Sequence, residues 1–136
     1  MVGRNVGEAA VAEHEKYKSR HSILQSWLVA TKGLIYTIRH ERNVGLVCFF
    51  IVLAVFISAF LRISAIEWVI VVLCCGIVLT CELLNTAIEA VTDLACNQEI
   101  HPLAKIAKDT GSAATLAASV TSLIVAAIIF LPKLFH

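Results

Sequence analysis

The feature that most restricts the fold of this chain is an apolar run at residues 44–61 that contains no charged side chain. A helix of these 18 residues is close to the minimum length needed to cross roughly 30 Å of hydrocarbon. Two longer segments with apolar stretches follow, and 59% of the 136 residues are hydrophobic, against roughly 45–50% in soluble domains. Lipid offers the backbone no hydrogen-bond partners, so spans of this kind fold as helices. We therefore predict an all-α membrane protein with spans at about 44–61, 68–94 and 110–131.

The segment before the first span has a different pattern. Residues 1–21 are polar and rich in charge, and we expect them to form a tail that precedes a membrane domain at residues 22–136. From about residue 22 to residue 42, apolar side chains recur at intervals of three and four, which predicts an amphipathic helix. Basic residues flank its apolar stripe, which carries Trp27, as is typical of helices that lie in the membrane surface. The alternative is an ordinary core-facing helix, but the sequence offers no soluble domain for it to pack against.

The distribution of charge predicts the orientation of the spans. The formal net charge is only +1, which gives no basis for nucleic-acid binding. Lysine and arginine are concentrated in the N-terminal segment and in the polar stretch at residues 97–109, and short loops of this composition stay on the cytoplasmic side. No signal-peptide pattern is visible. We expect the N-terminus and the polar end of the second span to be cytoplasmic, and the C-terminus to be outside.

A polar stripe marks the second half of the second span. Glu82, Asn85, Glu89 and Asp93 are separated by three, four and four residues, which places them along one side of a helix. Charged groups within a span are costly and by default face protein or a watery cavity with a functional role. Two alternatives need no functional role. Asp93 could lie on a solvated end of the helix, and Asn85 could make a structural hydrogen bond between helices. Neither fits Glu82, which directly follows a long uncharged stretch. Aligned carboxylates can bind a hard cation or take a proton from a hydroxyl.

The polar stretch at residues 97–109, predicted to connect the second and third spans, adds groups that suit phosphate. Two lysines, Lys105 and Lys108, precede a Gly-Ser pair at which we expect the third span to begin. Ammonium groups and the free N–H groups of a helix start both bind phosphate oxygens. No G-x-x-x-x-G-K-[ST] motif occurs, which excludes a P-loop kinase. The residues alone therefore indicate a membrane-embedded oligomer with a cytoplasmic acid, metal and phosphate site. A small transporter or channel with acidic residues in its pathway is the rival interpretation.

Two motifs resemble the prokaryotic diacylglycerol kinase family, whose members are small integral-membrane lipid kinases. They are the run ELLNTAIEAV at residues 82–91 and the run AKDTGSAA at residues 107–114. The resemblance covers about residues 32–131. It implies transfer of the γ-phosphoryl group of ATP to a membrane lipid alcohol, with Mg²⁺ as cofactor. It also implies a homotrimer of three-span subunits with shared active sites in the bacterial plasma membrane.

The resemblance also implies roles for individual residues. Glu82 matches the general base that takes the proton from the lipid hydroxyl, and Asn85 matches the residue that positions the reacting groups. Glu41 and Glu89 match the pair that holds the metal on the ATP phosphates, so both also count as ATP-binding. The other residues expected at the nucleotide are Glu99, His101, Lys108 and Asp109, and those expected to support the site are Asp93, Lys32 and Ser112.

The sequence departs from the diacylglycerol branch at two points and gives mixed signals about the lipid. The stretch from Asp93 to Glu99 is one residue longer, with Ile100 where an aromatic is usual. Where the family carries a basic residue early on the surface helix, this sequence has Ser22, with Arg20 and His21 nearby. The segments at 41–43 and 101–105 resemble the undecaprenol kinase branch, whereas GSAA at 111–114 resembles the diacylglycerol branch. We predict phosphorylation of undecaprenol to undecaprenyl phosphate, with diacylglycerol giving phosphatidic acid as the alternative.

Overall fold

The computed structural model describes residues 23–97 and 99–135 and contains four α-helices and no strand within those ranges. The predicted tail at residues 1–21 lies outside the described residues. The helices are α1 (Ile23–His40), α2 (Arg42–Phe60), α3 (Ala65–Ala95) and α4 (Pro102–Leu134). The last three are long and apolar enough to cross a membrane. The predicted fold class, a shorter N-terminal helix followed by three helices of spanning length, is therefore confirmed.

Helix α1 covers most of the predicted surface helix at 22–42. It exposes its large apolar side chains, Trp27 among them, and carries Arg39 and His40 in its last turn. Cationic groups there are favourable because they lie at the negative end of the helix dipole. The chain divides into two compact units within this helix, between Tyr36 and Thr37. That α1 lies in a membrane surface stays a prediction.

The second unit begins with an antiparallel pair, α2 and α3, joined by a short connection. Ser64 caps α3 through a reciprocal pair of bonds: the Ser64 Oγ accepts from the Glu67 N–H at 3.4 Å, and the Ser64 N–H donates to Glu67 Oε2 at 2.6 Å. This capping box satisfies N–H groups that a helix start would otherwise leave unpaired. Helix α3 therefore starts at Ala65, three residues before the predicted position.

The connection between α3 and α4 is shorter than predicted. Helix α4 begins at Pro102, so the proline lies in its first turn. The His101 Nδ1 caps this end of the helix by accepting a hydrogen bond from the Leu103 N–H at 3.2 Å. Proline is well suited to a first turn, where its missing N–H has no partner to lose. The predicted polar connection over residues 97–109 is thus wrong beyond His101. At the other end, α4 continues through Pro132 to Leu134.

Helices α3 and α4 form the main contact of the second unit, and α2 packs less extensively on α3. Ion pairs fix the antiparallel register at both ends of α3 and α4: Lys133 Nζ lies 3.2 Å from Glu67 Oε2, and Lys108 Nζ lies 2.5 Å from Asp93 Oδ1. A small buried cluster of Ile63, Val71 and Ile129 lies towards the Glu67 end.

Most large apolar side chains of the three long helices are exposed in the single subunit. Phe49 is 61% exposed, Phe56 69% and Leu123 70%. A continuous apolar surface of this extent is not compatible with water, so lipid or another protein must cover it. The exposure pattern therefore agrees with membrane insertion.

Candidate active site

The first two residues of the polar stripe on α3, Glu82 and Asn85, are buried inside the protein. Glu82 is 4% exposed and Asn85 is 5% exposed, whereas Glu89 and Asp93 are half-buried. The spacing of three and four residues brings all four side chains to one side of α3, and α4 covers the more deeply buried end. The structure therefore buries the carboxylate and the amide that lie nearest the middle of α3, where a side chain that faced lipid would be costly.

Asn85 is held on one side only. Its Nδ2 donates to Glu89 Oε1 at 2.9 Å, while its Oδ1 is buried and has no hydrogen-bond partner in the part of the chain that the structure describes. Gly111 of α4 lies against this oxygen: a Cβ added there would stand 2.5 Å from Asn85 Oδ1. Only glycine allows the two helices to approach this closely. The unpaired Oδ1 leaves one acceptor available for a bound reactant or water.

The structure corrects the interpretation of the Gly-Ser pair as a helix start. Gly111 and Ser112 lie well inside α4, which begins at Pro102. Backbone N–H groups in a helix interior bond to the carbonyl four residues earlier, so they are not free to bind phosphate. Gly111 instead makes room for Asn85. Ser112 is exposed, so any supporting role at the site would have to come from its side-chain hydroxyl.

The cationic part of the predicted site also lies on α4. The ion pair of Lys108 and Asp93 links α4 to α3 and is partly buried. Lys105 pairs with Asp109 one turn along the same helix, and both side chains are exposed. An ammonium group has three N–H donors, so Lys108 can hold Asp93 and still contact phosphate oxygens. The structure thus brings Asp93 and Lys108 together at the connection between the helices.

Glu99 and His101 lie in that connection and are both exposed. The Glu99 N–H donates to the Cys96 carbonyl at 2.8 Å, which fixes the turn, and the cap at His101 Nδ1 fixes the imidazole. A neutral imidazole that accepts at Nδ1 carries its proton at Nε2. His101 can therefore donate a hydrogen bond outward from this end of the helix pair.

The predicted metal ligands are carboxylates that their surroundings leave partly free. Glu41 is exposed at the N-cap of α2 and makes no side-chain capping bond. Within the described part of the chain, the one hydrogen-bond partner of the Glu89 side chain is Asn85. Within residues 23–97 and 99–135 no group of three His, Cys, Asp or Glu side chains could hold a metal ion. Mg²⁺ commonly takes one or two carboxylates together with substrate phosphate oxygens and water. The residues present fit an ion held jointly with a nucleotide. Lys32 is exposed on α1, in the first unit.

An apolar groove of about 640 Å³, which was not predicted from the sequence, runs between α2, α3 and α4. Among the described residues that line the groove, Glu82 is the only carboxylate. It lies at one end with Asn43, whereas Val71 and Phe130 lie at the other. Most of the remaining wall is apolar, and its residues include Val47, Phe50, Ala54, Val78, Leu123 and Ala126. In sequence such residues look like any span residues, because the groove depends on how the helices pack.

Comparisons with known proteins identify the family of the chain. The family described as prokaryotic diacylglycerol kinase matches residues 28–130. An undecaprenol kinase of Bacillus subtilis is 43% identical over 115 residues, which cover 81% of this chain and 89% of that protein. A diacylglycerol kinase of Synechocystis is 36% identical over 113 residues, 83% of this chain and 65% of that protein. A diacylglycerol kinase of Escherichia coli is 42% identical over 74 residues, 54% of this chain and 60% of that protein.

The family match covers most of the chain and contains every motif residue of the polar stripe. The chain spans somewhat less than two thirds of the two diacylglycerol kinases but nearly all of the undecaprenol kinase. The interpretation as a transporter or channel is set aside, because the family and its named members are kinases. The chain belongs to the prokaryotic diacylglycerol kinase family and is a membrane lipid kinase.

Proposed function

We propose that the chain transfers the γ-phosphoryl group of ATP to the hydroxyl of undecaprenol, giving undecaprenyl phosphate. One observation carries the proposal: Glu82 is a buried carboxylate that lines one end of a long apolar groove. A lipid chain in the groove would bring its terminal hydroxyl to this carboxylate. The 43% identity to an undecaprenol kinase, over 89% of that protein, supports the choice of lipid.

The chemistry follows from the residues at the polar end of the groove. Glu82 takes the proton of the lipid hydroxyl as its oxygen forms a bond to the γ-phosphorus of ATP. The bond from that phosphorus to the β,γ-bridging oxygen breaks, and ADP leaves. Asn85 positions Glu89 through the bond from Nδ2. Such a reaction depends on positioning and on neutralising phosphate charge more than on covalent chemistry of the protein.

The nucleotide would bind around the connection between α3 and α4. Lys108, held beside Asp93, supplies a positive charge for the phosphates, and Asp109 lies next to it. Glu99 and His101 lie at the same end and would contact the base. Glu41 and Glu89 would hold Mg²⁺, which when bound neutralises charge on the transferring phosphate.

The chemistry of the groove favours undecaprenol over diacylglycerol. Diacylglycerol carries two ester groups beside its hydroxyl, and their carbonyls need hydrogen-bond donors when they leave water. Undecaprenol carries only hydrocarbon beyond its hydroxyl. The groove offers few polar side chains apart from Glu82, namely Asn43, Ser119 and Ser122. Diacylglycerol remains the alternative acceptor because several relatives are named diacylglycerol kinase.

Assembly and orientation complete the proposal. Glu89 and Asp93 are half-exposed in one subunit, yet a carboxylate that faces lipid is costly. Small residues early in α4, such as Ala113, Ala114 and Ala117, are exposed and allow close approach of another helix. We infer a homotrimer whose subunits share active sites, with the site cytoplasmic and the C-terminus outside.

The test is phosphorylation of each lipid by the purified protein with labelled ATP. We expect undecaprenol to be phosphorylated with the higher kcat/KM, and the reaction to require Mg²⁺. Preference for diacylglycerol under identical detergent conditions would overturn the choice of lipid. A protein that phosphorylates neither lipid would overturn the proposed function.

A further inference from the structure

Thr115 of α4 has a buried hydroxyl oxygen without a hydrogen-bond partner within the described part of the chain. Five other helical hydroxyls donate to the carbonyl four residues earlier, at distances from 2.6 to 2.9 Å. These are Thr31, Ser58, Thr92, Thr110 and Thr121. This local bond is available to any helical threonine. Thr115 does not make it, and a buried polar atom without a partner is costly, so its hydroxyl is expected to find a partner in the working enzyme.

The register of α3 and α4 shows what Thr115 faces. Lys133 pairs with Glu67 at one end, Lys108 pairs with Asp93 at the other, and Gly111 packs against Asn85. The helices are antiparallel, so one turn forward along α4, from Gly111 to Thr115, corresponds to about one turn back along α3. That step leads from Asn85 to the level of Glu82.

A second observation brackets the same position. Ser119 lies one turn beyond Thr115 and lines the apolar groove together with Glu82. Gly111, one turn before Thr115, touches Asn85. Residues four apart lie on the same side of a helix. By this register Thr115 is one turn from the Asn85 contact at Gly111 and one turn from the groove residue Ser119, which places it at the level of Glu82.

The needs of an attacking alcohol match this hydroxyl. A primary alcohol has one proton and two lone pairs. The proton goes to Glu82 and one lone pair attacks phosphorus, so the other lone pair needs a hydrogen-bond donor. Asn85 Oδ1 is an acceptor only and cannot fill this role, whereas a threonine hydroxyl can donate.

We propose that Thr115 is an acceptor-positioning residue, whose hydroxyl donates a hydrogen bond to the oxygen of the lipid alcohol while Glu82 takes its proton. The inference rests on the proposed function, because it presupposes that Glu82 is the base. It does not depend on which lipid chain occupies the groove, since the bond is made to the hydroxyl that all acceptors share.

The test compares Thr115→Val, which removes the hydroxyl but keeps the branched shape, with Thr115→Ser, which keeps the hydroxyl. Thr121→Val is the matched control, because the Thr121 hydroxyl is engaged with the Ala117 carbonyl at 2.9 Å. We expect Thr115→Val to lower kcat/KM for the lipid roughly tenfold while KM for ATP stays unchanged. Thr115→Ser should recover most of the activity, and Thr121→Val should behave as wild type. In a Glu82→Gln background, Thr115→Val should cause little further loss.

Four results would overturn the inference. Wild-type kcat/KM in Thr115→Val would show that the hydroxyl is not used, and equal losses in the Val and Ser variants would show that only side-chain shape matters. A matching rise in KM for ATP would place Thr115 in the nucleotide site instead. A lower thermal midpoint that accounts for the loss would make its role structural. Failure of the proposed lipid choice is distinguishable, because a wild-type protein that prefers diacylglycerol allows the same comparison with that lipid.

Discussion

Gly111→Ala tests whether the close approach of α4 to Asn85 matters for activity. The new methyl carbon would stand 2.5 Å from Asn85 Oδ1, 3.5 Å from its Cγ and 3.6 Å from the Ile88 Cδ1. Carbon–oxygen contacts settle at about 3.3–3.6 Å, so the Asn85 side chain or the helix must move by roughly 1 Å. Movement of Asn85 also disturbs its 2.9 Å bond to Glu89.

Two opposing effects set the stability of this variant. Overpacking costs about 1–3 kcal/mol, and alanine in place of glycine inside a helix returns about 0.5–1 kcal/mol. We therefore expect the free energy of unfolding to fall by about 1–2 kcal/mol. The effect on catalysis should be larger, because a displacement of about 1 Å at a reacting group can lower the rate roughly 100-fold.

Gly76→Ala is the matched control, because a Cβ at Gly76 would meet no atom within 4 Å in the subunit. The measurements are kcat for lipid phosphorylation, the thermal midpoint in detergent and the elution volume of the oligomer. The prediction is a strong loss of kcat in Gly111→Ala with an unchanged elution volume, and near-wild-type kcat in Gly76→Ala. Wild-type kcat in Gly111→Ala would refute the reasoning that Asn85 must hold its observed position.

Two further predictions concern the metal and the assembly. Glu41→Ala and Glu89→Ala should each weaken the dependence of activity on Mg²⁺, and the double variant should lose little more than either alone, because ligands of one ion act as a unit. Independent, multiplicative losses would contradict a shared ion. Light scattering in mild detergent should show a trimer, and mixed trimers of Glu82→Gln and Glu41→Ala subunits should regain part of the activity if these residues meet across an interface. A fully active monomer would contradict shared sites.

The parts of the fold that depend on local pattern could be predicted from sequence. Long apolar runs predict the three long helices, because backbone N–H and C=O groups within a bilayer must hydrogen-bond to each other. The stripe from Glu82 to Asp93 follows from spacing alone, since helical periodicity decides which side chains share a face. The charged residues Lys105, Lys108 and Asp109 made the predicted start of α4 too late. The local signals for an earlier start were Pro102 after a capping residue and the Lys105–Asp109 pair at a spacing of four.

The parts that depend on packing between helices could not be predicted. From sequence alone, Gly111 could mark a helix start or a close contact between helices. Only the packing of α4 on α3 shows that it makes room for Asn85. Thr115 looks like any span threonine until its buried, unpartnered oxygen is seen. The groove has the same origin, because its wall comes from three helices whose relative rotation a single sequence does not specify.

The most direct test of the account is lipid phosphorylation by Glu82→Gln, measured together with binding of ATP and Mg²⁺. Glutamine keeps the shape of the buried side chain at the end of the groove but cannot take a proton. If Glu82 is the base, phosphorylation should fall roughly 10²–10⁴-fold while nucleotide affinity stays close to that of wild type. Near-normal turnover in this variant would contradict the role of Glu82, and with it the assignment of the groove as the acceptor site.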